Sequence, residues 1–293
     1  MNFRQLGASD FTISELSLGC MSLPLDEASA APILHAALEA GINYFDTADL
    51  YNKGANEALI GKLLKPHRQE IYIASKVGNK FTADAEGWSW DSSRAHIEKS
   101  VKESLTRLQT DYLDLYQLHG GTLDDHFEEI IDTFEGLKKA GYIREYGISS
   151  IRPNVFVPFS TSNAVSTMMQ YNLLDRCAEE YFDTLQANGV SVVTRGSVAK
   201  GLLTANWQQK LNDYMSYSKE ELESLLNTLS SYGSLHALAL AFNLQHSAVA
   251  STVIGASNVQ QLQQSINAYH ARPLRIEKEM IDLLKEDRYS AHR

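Results

Sequence analysis

Apolar residues follow two different spacings along this chain. Short runs such as 71–75 are largely apolar, whereas longer segments such as 93–108 carry apolar residues three or four positions apart. The short runs predict strands and the longer segments predict helices. The predicted strands are 16–19, 43–46, 71–75, 113–118, 143–148, 164–170, 190–194 and 252–254. The predicted helices are 27–40, 56–64, 93–108, 127–140, a short one after Pro153, 178–187, 219–229, 235–246 and 259–268.

Strands that alternate with helices are typical of a parallel sheet. Eight such units fit a closed (β/α)8 TIM barrel better than an open sheet. Residues 3–13, with a turn at 7–10, precede the first barrel strand and are interpreted as a hairpin that plugs the bottom of the barrel. A last predicted helix, 276–285, lies outside the repeat. Because no linker or change in composition divides the chain, we expect residues 1–293 to form a single domain.

Composition narrows the class of protein. The net charge of −10 disfavours a nucleic-acid or anionic-membrane partner. No apolar run approaches the roughly 20 residues that cross a bilayer, and the start of the chain lacks the apolar region of a signal peptide. The two cysteines, Cys20 and Cys177, cannot build a cysteine-rich zinc site. We therefore expect a cytoplasmic protein without a structural metal.

Ionisable side chains follow three of the predicted strands. Asp46, Lys76 and His119 each end a strand-like run, and Tyr51 lies shortly after Asp46. The carboxyl ends of barrel strands meet at one mouth, where barrel enzymes have their active sites. Each of these residues alone is more often structural, as a cap, a surface charge or a packing residue. Their joint placement at strand ends instead predicts one catalytic cluster.

The four residues suit acid–base chemistry at a carbonyl group. Tyrosine has an ordinary pKa of about 10, so proton donation near pH 7 requires a pKa about three units lower, worth about 4 kcal/mol. An ammonium about 4 Å away supplies roughly that free energy at an effective dielectric constant near 20. Lys76 is the candidate ammonium and Asp46 its counter-ion. His119 either holds the substrate oxygen or shares the proton.

Two long segments resemble the signatures of the aldo-keto reductases. Residues 46–51, followed by Asn56, Glu57 and Gly61, resemble the first signature, and residues 100–115 resemble the second. The order Asp, Tyr, Lys, His is similar to the catalytic tetrad of the family. The resemblance covers essentially the whole chain. It implies an aldo-keto reductase barrel that reduces aldehydes or ketones with NADPH, in which Tyr51 is the general acid, His119 orients the carbonyl, and Lys76 and Asp46 tune the tyrosine.

The resemblance also implies where the cofactor binds. Ser149 and Gln170 would hold the nicotinamide carboxamide, and the loop from residue 196 to 203 would bind the pyrophosphate. The start of the helix after residue 258 would bind the adenosine phosphate, because a helix N-terminus offers free N–H groups to an anion. The implied cofactor residues are Ser149, Gln170, Arg195, Gly196, Ser197, Ala199, Lys200, Gly201, Gly255, Ser257, Asn258, Gln261 and Gln264.

Three features depart from the family pattern. Ser150 replaces a frequent asparagine. Gln264-Ser265 replaces a usual Glu-Asn pair, which weakens the implied adenine contacts and the implied preference for NADPH over NADH. Arg195 replaces a tyrosine that often stacks on the nicotinamide. A guanidinium also stacks on rings, but its charge is unfavourable beside an oxidised, cationic nicotinamide. This predicts weaker binding of NADP⁺ relative to NADPH.

The loop 79–91 contains Trp88 and Trp90, which either line an apolar substrate pocket together with Met21 or simply pack against the barrel. A small carbonyl substrate and a monomer are expected. The main alternative is a nicotinamide sensor with slow catalysis, because some relatives are regulatory subunits of channels; no appended partner-binding extension supports it. A metal-dependent barrel enzyme is a weaker alternative, since no metal-spacing motif is evident.

Overall fold

Eight parallel strands close into a barrel in this computed structural model, which describes residues 1–81 and 87–290. The predicted (β/α)8 barrel is confirmed. Within the described residues the strands are β1 (Phe3–Gln5), β2 (Thr12–Ser14), β3 (Leu16–Gly19), β4 (Tyr44–Asp46), β5 (Tyr72–Val77), β6 (Asn79–Lys80), β7 (Ser89–Trp90), β8 (Leu113–His119), β9 (Ile143–Ser149), β10 (Ser166–Gln170), β11 (Ser191–Arg195) and β12 (Val249–Gly255). The cyclic order in the barrel is β10, β11, β12, β3, β4, β5, β8, β9.

Helices surround the barrel and begin where the sequence supplies capping side chains. Asp26, Ser93, Ser218, Ser234 and Asn258 each accept a hydrogen bond from a backbone N–H in the first turn of the following helix. The described helices are α1 (Glu27–Glu39), α2 (Ala55–Leu64), α3 (Arg94–Leu108), α4 (Phe127–Lys139), α5 (Pro153–Phe159), α6 (Phe182–Ala187), α7 (Lys219–Ser230), α8 (Leu235–Leu244), α9 (Val259–Ala271) and α10 (Lys278–Ile281). None of them combines the length and apolar character needed to cross a lipid bilayer.

The antiparallel hairpin β1–β2 closes the amino-terminal end of the barrel, as predicted. Its side chains Leu6, Phe11 and Ile13 are buried in one cluster with inward-facing residues of the barrel strands. Gly7, with φ 55°, lies so close to the barrel that a Cβ would be 2.2 Å from the Val165 carbonyl oxygen. Only glycine fits this contact, so the hairpin lies tightly against the amino-terminal end of the barrel.

The alternation of side chains along each strand determines which residues face the interior. Tyr44, Ala74 and Leu115 belong to the interior cluster that contains the hairpin. Residues two positions further along β4, β5 and β8 face the same way, at the carboxyl end of the barrel. Polar residues at that level, Asp46 and Lys76 among them, are thus directed into the mouth.

The prediction of a helix over 276–285 was wrong in its extent, since α10 covers only Lys278–Ile281. The Lys285 N–H donates to the Tyr217 hydroxyl at 2.6 Å, outside the helix. At Lys285 the backbone N–H is therefore bonded to a distant residue and not to a helical carbonyl oxygen. The small hairpin β6–β7 was also not predicted, because two-residue strands leave no periodic signal.

Candidate active site

Lys76 is the centre of the cluster at the mouth of the barrel, and its side chain is fully buried. Its Nζ donates to Asp46 Oδ2 at 2.7 Å and to the Thr47 carbonyl oxygen at 2.7 Å. The Tyr51 hydroxyl lies 3.4 Å from the same nitrogen. The structure therefore brings together the tyrosine, the ammonium and the counter-ion that the sequence predicted.

An unusual turn places Tyr51 above the lysine. After β4 the chain enters a 3₁₀ turn over Tyr51–Gly54, in which Asn52 and Lys53 have φ of 51° and 54°. A left-handed conformation is uncommon for such residues and reverses the direction of the chain within a few positions. The Tyr51 N–H donates to the Ala48 carbonyl oxygen, which fixes the start of the turn.

The remaining residues of the two signature segments hold this turn against the barrel. Glu57 on α2 is fully buried and accepts from Arg107 Nε on α3 at 2.7 Å. Gly61 faces the end of α3, where a Cβ would lie 2.4 Å from the Leu108 backbone. Such a close approach leaves room only for glycine. These residues pack α2, which directly follows the Tyr51 turn, onto α3.

Burial and charge act against each other within the cluster. Burial alone lowers the pKa of Lys76, but the Asp46 carboxylate and the Tyr51 hydroxyl raise it above its ordinary value. Burial raises the pKa of Asp46, and Lys76 opposes that effect. Lys76 therefore remains an ammonium near neutral pH, with the carboxylate as its partner.

The expectation that the pKa of Tyr51 lies below its ordinary value was wrong for the protein without ligands. Burial raises the pKa of Tyr51, and the Lys76 ammonium lowers it without overcoming the effect of burial. The negative charge of Asp46 raises it further. Sequence reasoning included the attraction of the ammonium but not the loss of hydration, which is the larger effect in this pocket.

His119 lies beside the tyrosine as a neutral base. The rings of Tyr51 and His119 meet edge to face with centroids 6.1 Å apart. Burial and the charges of Lys76 and Arg195 lower the pKa of His119 to about 3. A neutral imidazole donates a hydrogen bond to an oxygen but carries no extra proton. Of the two alternatives for His119, the geometry favours holding an oxygen atom.

Three strand ends beyond His119 carry the predicted nicotinamide-binding residues. Ser149 ends β9 and is buried, and Gln170 ends β10. The Gln170 side chain donates to Asp175 Oδ2 at 2.6 Å and accepts from Arg195 Nη1 at 3.3 Å. These two contacts determine the orientation of its amide. Arg195 ends β11, and its charge lowers the pKa of Tyr51 and Asp46, so it lies close to the catalytic cluster.

The predicted pyrophosphate loop has a left-handed backbone. Gly196, Ala199, Lys200 and Gly201 have φ of 69°, 47°, 56° and 97°. Backbone segments that alternate between right- and left-handed conformations form concave sites for anions. Ser197 and Ala199 are buried, whereas Lys200 is exposed. The Ala199 and Gly201 N–H groups donate to carbonyl oxygens within the loop. The predicted role in binding pyrophosphate therefore depends on the other N–H groups and on the positive charge of Lys200.

The start of α9 forms the third predicted cofactor region. Asn258 caps the helix by accepting from the Gln261 N–H at 2.9 Å. Ser257 donates to Gln261 Oε1 through both its N–H and its hydroxyl, each at 2.9 Å. Gly255 ends β12, and Gln264 is exposed one turn further along the helix. An exposed helix N-terminus with polar side chains fits a phosphate group.

The predicted substrate residues occupy three different positions on the rim. Met21, in a 3₁₀ turn after β3, is 62% exposed, and Trp88 is 56% exposed. Trp90 is half-buried, and its Nε1 donates to Asp125 Oδ1 at 2.8 Å. Its ring lies over Gly78, where a Cβ would be only 2.5 Å away. Trp90 therefore packs on the rim, and residues 82–86 of the predicted loop lie outside the described residues.

Sequence reasoning missed two polar residues of the site. Gln117 on β8 is fully buried and faces the interior two positions before His119; strand alternation from His119 could have identified it. Asp175 orients Gln170 from a turn after β10, and nothing in the local pattern indicates that role. Cys20 and Cys177 are free, buried thiols, and no cluster of three or more metal-binding side chains occurs in the described part of the chain.

Lys76, Asp46 and His119 surround the hydroxyl of Tyr51, and the loop after β11 and the start of α9 are the two predicted phosphate-binding regions. That combination on a parallel barrel is typical of an oxidoreductase that acts on carbonyl groups with a nicotinamide dinucleotide. The model of the aldo/keto reductase family matches residues 15–286. The chain therefore belongs to the aldo/keto reductase family.

Similar proteins agree with this assignment. The uncharacterized oxidoreductase YqkF of Bacillus subtilis (strain 168) is 48% identical over 305 residues, with 100% of both chains covered. L-galactose dehydrogenase of Arabidopsis thaliana is 28% identical, over 92% of this chain and 88% of that one. The holo form of aldo-keto reductase AKR11C1 from Bacillus halodurans has a TM-score of 0.96 and 52% identity, over 100% of this chain and 99% of that chain.

Proposed function

We propose that this enzyme uses NADPH to reduce aldehydes or ketones to alcohols, with Tyr51 as the proton donor. The observation that carries the proposal is the position of Lys76 Nζ, 3.4 Å from the Tyr51 hydroxyl and 2.7 Å from Asp46. When bound beside this cluster, a reduced nicotinamide would supply the hydride for the carbonyl carbon. The side chains then have one task, which is to place the carbonyl and deliver a proton to its oxygen.

Tyr51 delivers that proton and becomes a phenolate. The Lys76 ammonium stabilises the phenolate, and Asp46 keeps Lys76 charged. A neutral His119 donates a hydrogen bond to the carbonyl oxygen, which orients it and favours the developing negative charge. The phenolate then takes a proton from solvent. The raised pKa of Tyr51 in the ligand-free protein keeps its hydroxyl protonated until this step.

The cofactor would be held at the three regions on the opposite side of the mouth. Ser149 and Gln170 would bind the carboxamide, and the left-handed loop that starts at Gly196 would bind the pyrophosphate. Ser257 and Asn258, at the N-terminus of α9, would bind the adenosine 2′-phosphate. The preference for NADPH over NADH rests on these last contacts, and titration of both cofactors by fluorescence tests it directly.

Replacement of Tyr51 tests the proposed proton donor. Tyr51→Phe keeps the ring beside His119 and removes only the hydroxyl, so we expect near-abolished turnover with unchanged NADPH affinity. Tyr72→Phe is a matched control, because the Tyr72 hydroxyl accepts from the Thr12 N–H at the other end of the barrel. Normal turnover of Tyr51→Phe would show that the proton comes from another group.

The same measurements distinguish a reductase from a nicotinamide sensor. A reductase should turn over a panel of aldehydes at rates of about one per second or more. Tight NADPH binding with turnover far below about one per second across the panel would favour the sensor. The position of Tyr51 over the Lys76–Asp46 pair favours the reductase, because a binding protein has no need of a controlled proton.

A further inference from the structure

The Gln170 amide is held from both sides by charged side chains. Its Nε2 donates to Asp175 Oδ2 at 2.6 Å, and its Oε1 accepts from Arg195 Nη1 at 3.3 Å. A carboxylate can only accept and a guanidinium can only donate. In a flipped amide the oxygen would face the carboxylate and the nitrogen would face the guanidinium. Because hydrogen bonds to charged groups are stronger than those between neutral groups, one orientation of the amide is strongly favoured.

Asp175 belongs to a turn that is itself fixed by hydrogen bonds. The turn follows β10, and its residues Asn172 and Asp175 exchange backbone hydrogen bonds at 3.1 and 3.0 Å. Asp175 is buried, and its Oδ1 accepts from the Cys177 N–H at 3.3 Å. Asn172 Nδ2 donates to the Gly196 carbonyl oxygen at 2.9 Å, which joins the turn to the start of the predicted pyrophosphate loop. Both oxygens of the Asp175 carboxylate thus have donors, and the carboxylate holds Gln170 from a fixed position.

The fixed amide turns its oxygen towards the predicted cofactor region. An amide oxygen can accept two hydrogen bonds, and the contact with Arg195 uses one of them. Gly196 brings no side chain to this place, although a Cβ there would lie only 3.7 Å from Gln170 Oε1. The oxygen therefore keeps the capacity for one more donor beside the predicted pyrophosphate loop. The carboxamide of a nicotinamide, the predicted ligand of Gln170, carries an NH2 group of this kind.

We propose that Asp175 is a positioning residue for the cofactor, because it binds Gln170 Nε2 and so presents Gln170 Oε1 as an acceptor to the carboxamide NH2 group. Asp175 acts on the cofactor only through Gln170. The inference rests on the proposed function for the identity of the cofactor. It adds what this part of the site recognises, which is a ring substituent with an N–H donor.

Two other roles of Asp175 would change cofactor binding without involving Gln170. Its carboxylate could act simply as a negative charge near an oxidised, cationic nicotinamide, or it could simply stabilise the turn after β10. Either role changes the affinity for every oxidised dinucleotide by the same factor. The proposed role alone changes how well the protein distinguishes a carboxamide from a ring substituent that lacks the N–H donor.

The 3-acetylpyridine analogue of NADP⁺ makes this comparison possible. A methyl group replaces the NH2 group of the carboxamide, and the charge of the ring is unchanged. The dissociation constants of NADP⁺ and of the analogue can be measured by quenching of tryptophan fluorescence. We expect wild type to bind the analogue about fivefold more weakly than NADP⁺, as for the loss of one hydrogen bond.

Asp175→Asn should remove this discrimination. The new side chain has one oxygen, so it cannot accept from both the Cys177 N–H and Gln170 Nε2. The Gln170 amide is then free to flip, and the ratio of the two dissociation constants should fall to within about twofold of one. Urea unfolding shows whether the variant is folded. Asp175→Ala, which adds no opposing donor, repeats the test if Asp175→Asn is not.

Two further variants serve as controls. Glu179→Gln removes the same charge from the same part of the chain, but Glu179 binds Arg176 Nε, at 2.7 Å, and not Gln170. It should keep the wild-type ratio. Gln170→Met removes the amide and should abolish the discrimination by itself. Addition of Asp175→Asn to Gln170→Met should then leave both dissociation constants unchanged, because Asp175 has lost the group through which it acts.

The outcomes distinguish this inference from the proposed function. A wild-type ratio near one would overturn the inference, and so would a wild-type ratio in folded Asp175→Asn. An effect of Asp175→Asn that persists in the Gln170→Met background would assign Asp175 to charge or to the turn instead. A wild-type enzyme that shows the expected ratio but reduces no carbonyl would refute the proposed reaction and leave the role of Asp175 intact.

Discussion

Replacement of Lys76 by methionine tests the electrostatic basis of the site. The ammonium lies 3.4 Å from the Tyr51 hydroxyl. Two unit charges at that distance interact by about 5 kcal/mol at an effective dielectric constant near 20, so the ammonium offsets part of the rise that burial causes in the pKa of Tyr51. We expect Lys76→Met to raise the pKa of Tyr51 further and to lower kcat roughly 100-fold at pH 7.

The same substitution has a separate effect on folding. It leaves the Asp46 carboxylate buried without a partner, which costs about 3–5 kcal/mol of unfolding free energy. The double variant Asp46→Asn, Lys76→Met removes both charges and should regain most of that stability, because a neutral buried pair carries no uncompensated charge. Its turnover should stay as low as that of Lys76→Met, since the ammonium is still missing.

Two assays measure the two effects independently. Urea unfolding measures stability, and the decrease in NADPH absorbance with a saturating aldehyde measures turnover. In the double variant, stability should recover while turnover stays low. If Lys76→Met keeps kcat within about threefold of wild type, the ammonium does not tune Tyr51. If the double variant recovers turnover along with stability, the pair is structural and Tyr51 needs no charged neighbour.

Three further predictions concern other parts of the molecule. Arg195→Tyr removes a positive charge beside the proposed nicotinamide site, so the dissociation constant of NADP⁺ should fall relative to that of NADPH; an unchanged ratio would contradict this idea. The pKa of His119 is about 3 in the folded protein, against an ordinary value of 6.5. Between these two pH values only the unfolded chain binds a proton at this residue. The wild-type protein should therefore lose about 1.4 kcal/mol of unfolding free energy for each unit by which the pH falls. Between about pH 6 and pH 4, His119→Gln should lose less unfolding free energy than wild type in urea unfolding. Equal slopes of unfolding free energy against pH in the two proteins would refute the low pKa of His119. Gly61→Ala should lower the unfolding free energy by about 3 kcal/mol, because its Cβ would clash with the Leu108 backbone, whereas Gly136→Ala, on an open helix surface, should not destabilise.

The sequence was sufficient for the barrel because its elements carry strong local signals. The strand β3 was predicted over the residues it occupies, and α4 differs by a single residue from the prediction. The elements that were missed depend on contacts between distant residues. The Lys285 N–H, within the predicted last helix, is bonded to the distant Tyr217 hydroxyl, and the two-residue strands β6 and β7 are too short to show a period.

The candidate site likewise contains features that the sequence predicts and features that it does not. Side chains at the ends of strands, such as Asp46 and Lys76, were predictable because barrel geometry brings those ends together. The net pKa of Tyr51 was not, because it depends on how much water the fold removes from the hydroxyl. The buried position of Gln117 follows from strand alternation, whereas the hydrogen bond from Gln170 to Asp175 depends on a turn after β10 that no local pattern indicates.

The pairing of β12 with β3 has a consequence for synthesis of the protein. Thr252 pairs with Leu16, so the last barrel strand meets a strand made near the start of translation. A nascent chain that has emerged from the ribosome only through residue 248 contains Asp46, Tyr51, Lys76 and His119 but can neither close the barrel nor form the start of α9. Such late closure is slow because the paired segments are far apart in the chain. Truncated translation products should therefore be inactive and exposed to proteolysis, even though they contain every residue of the catalytic cluster.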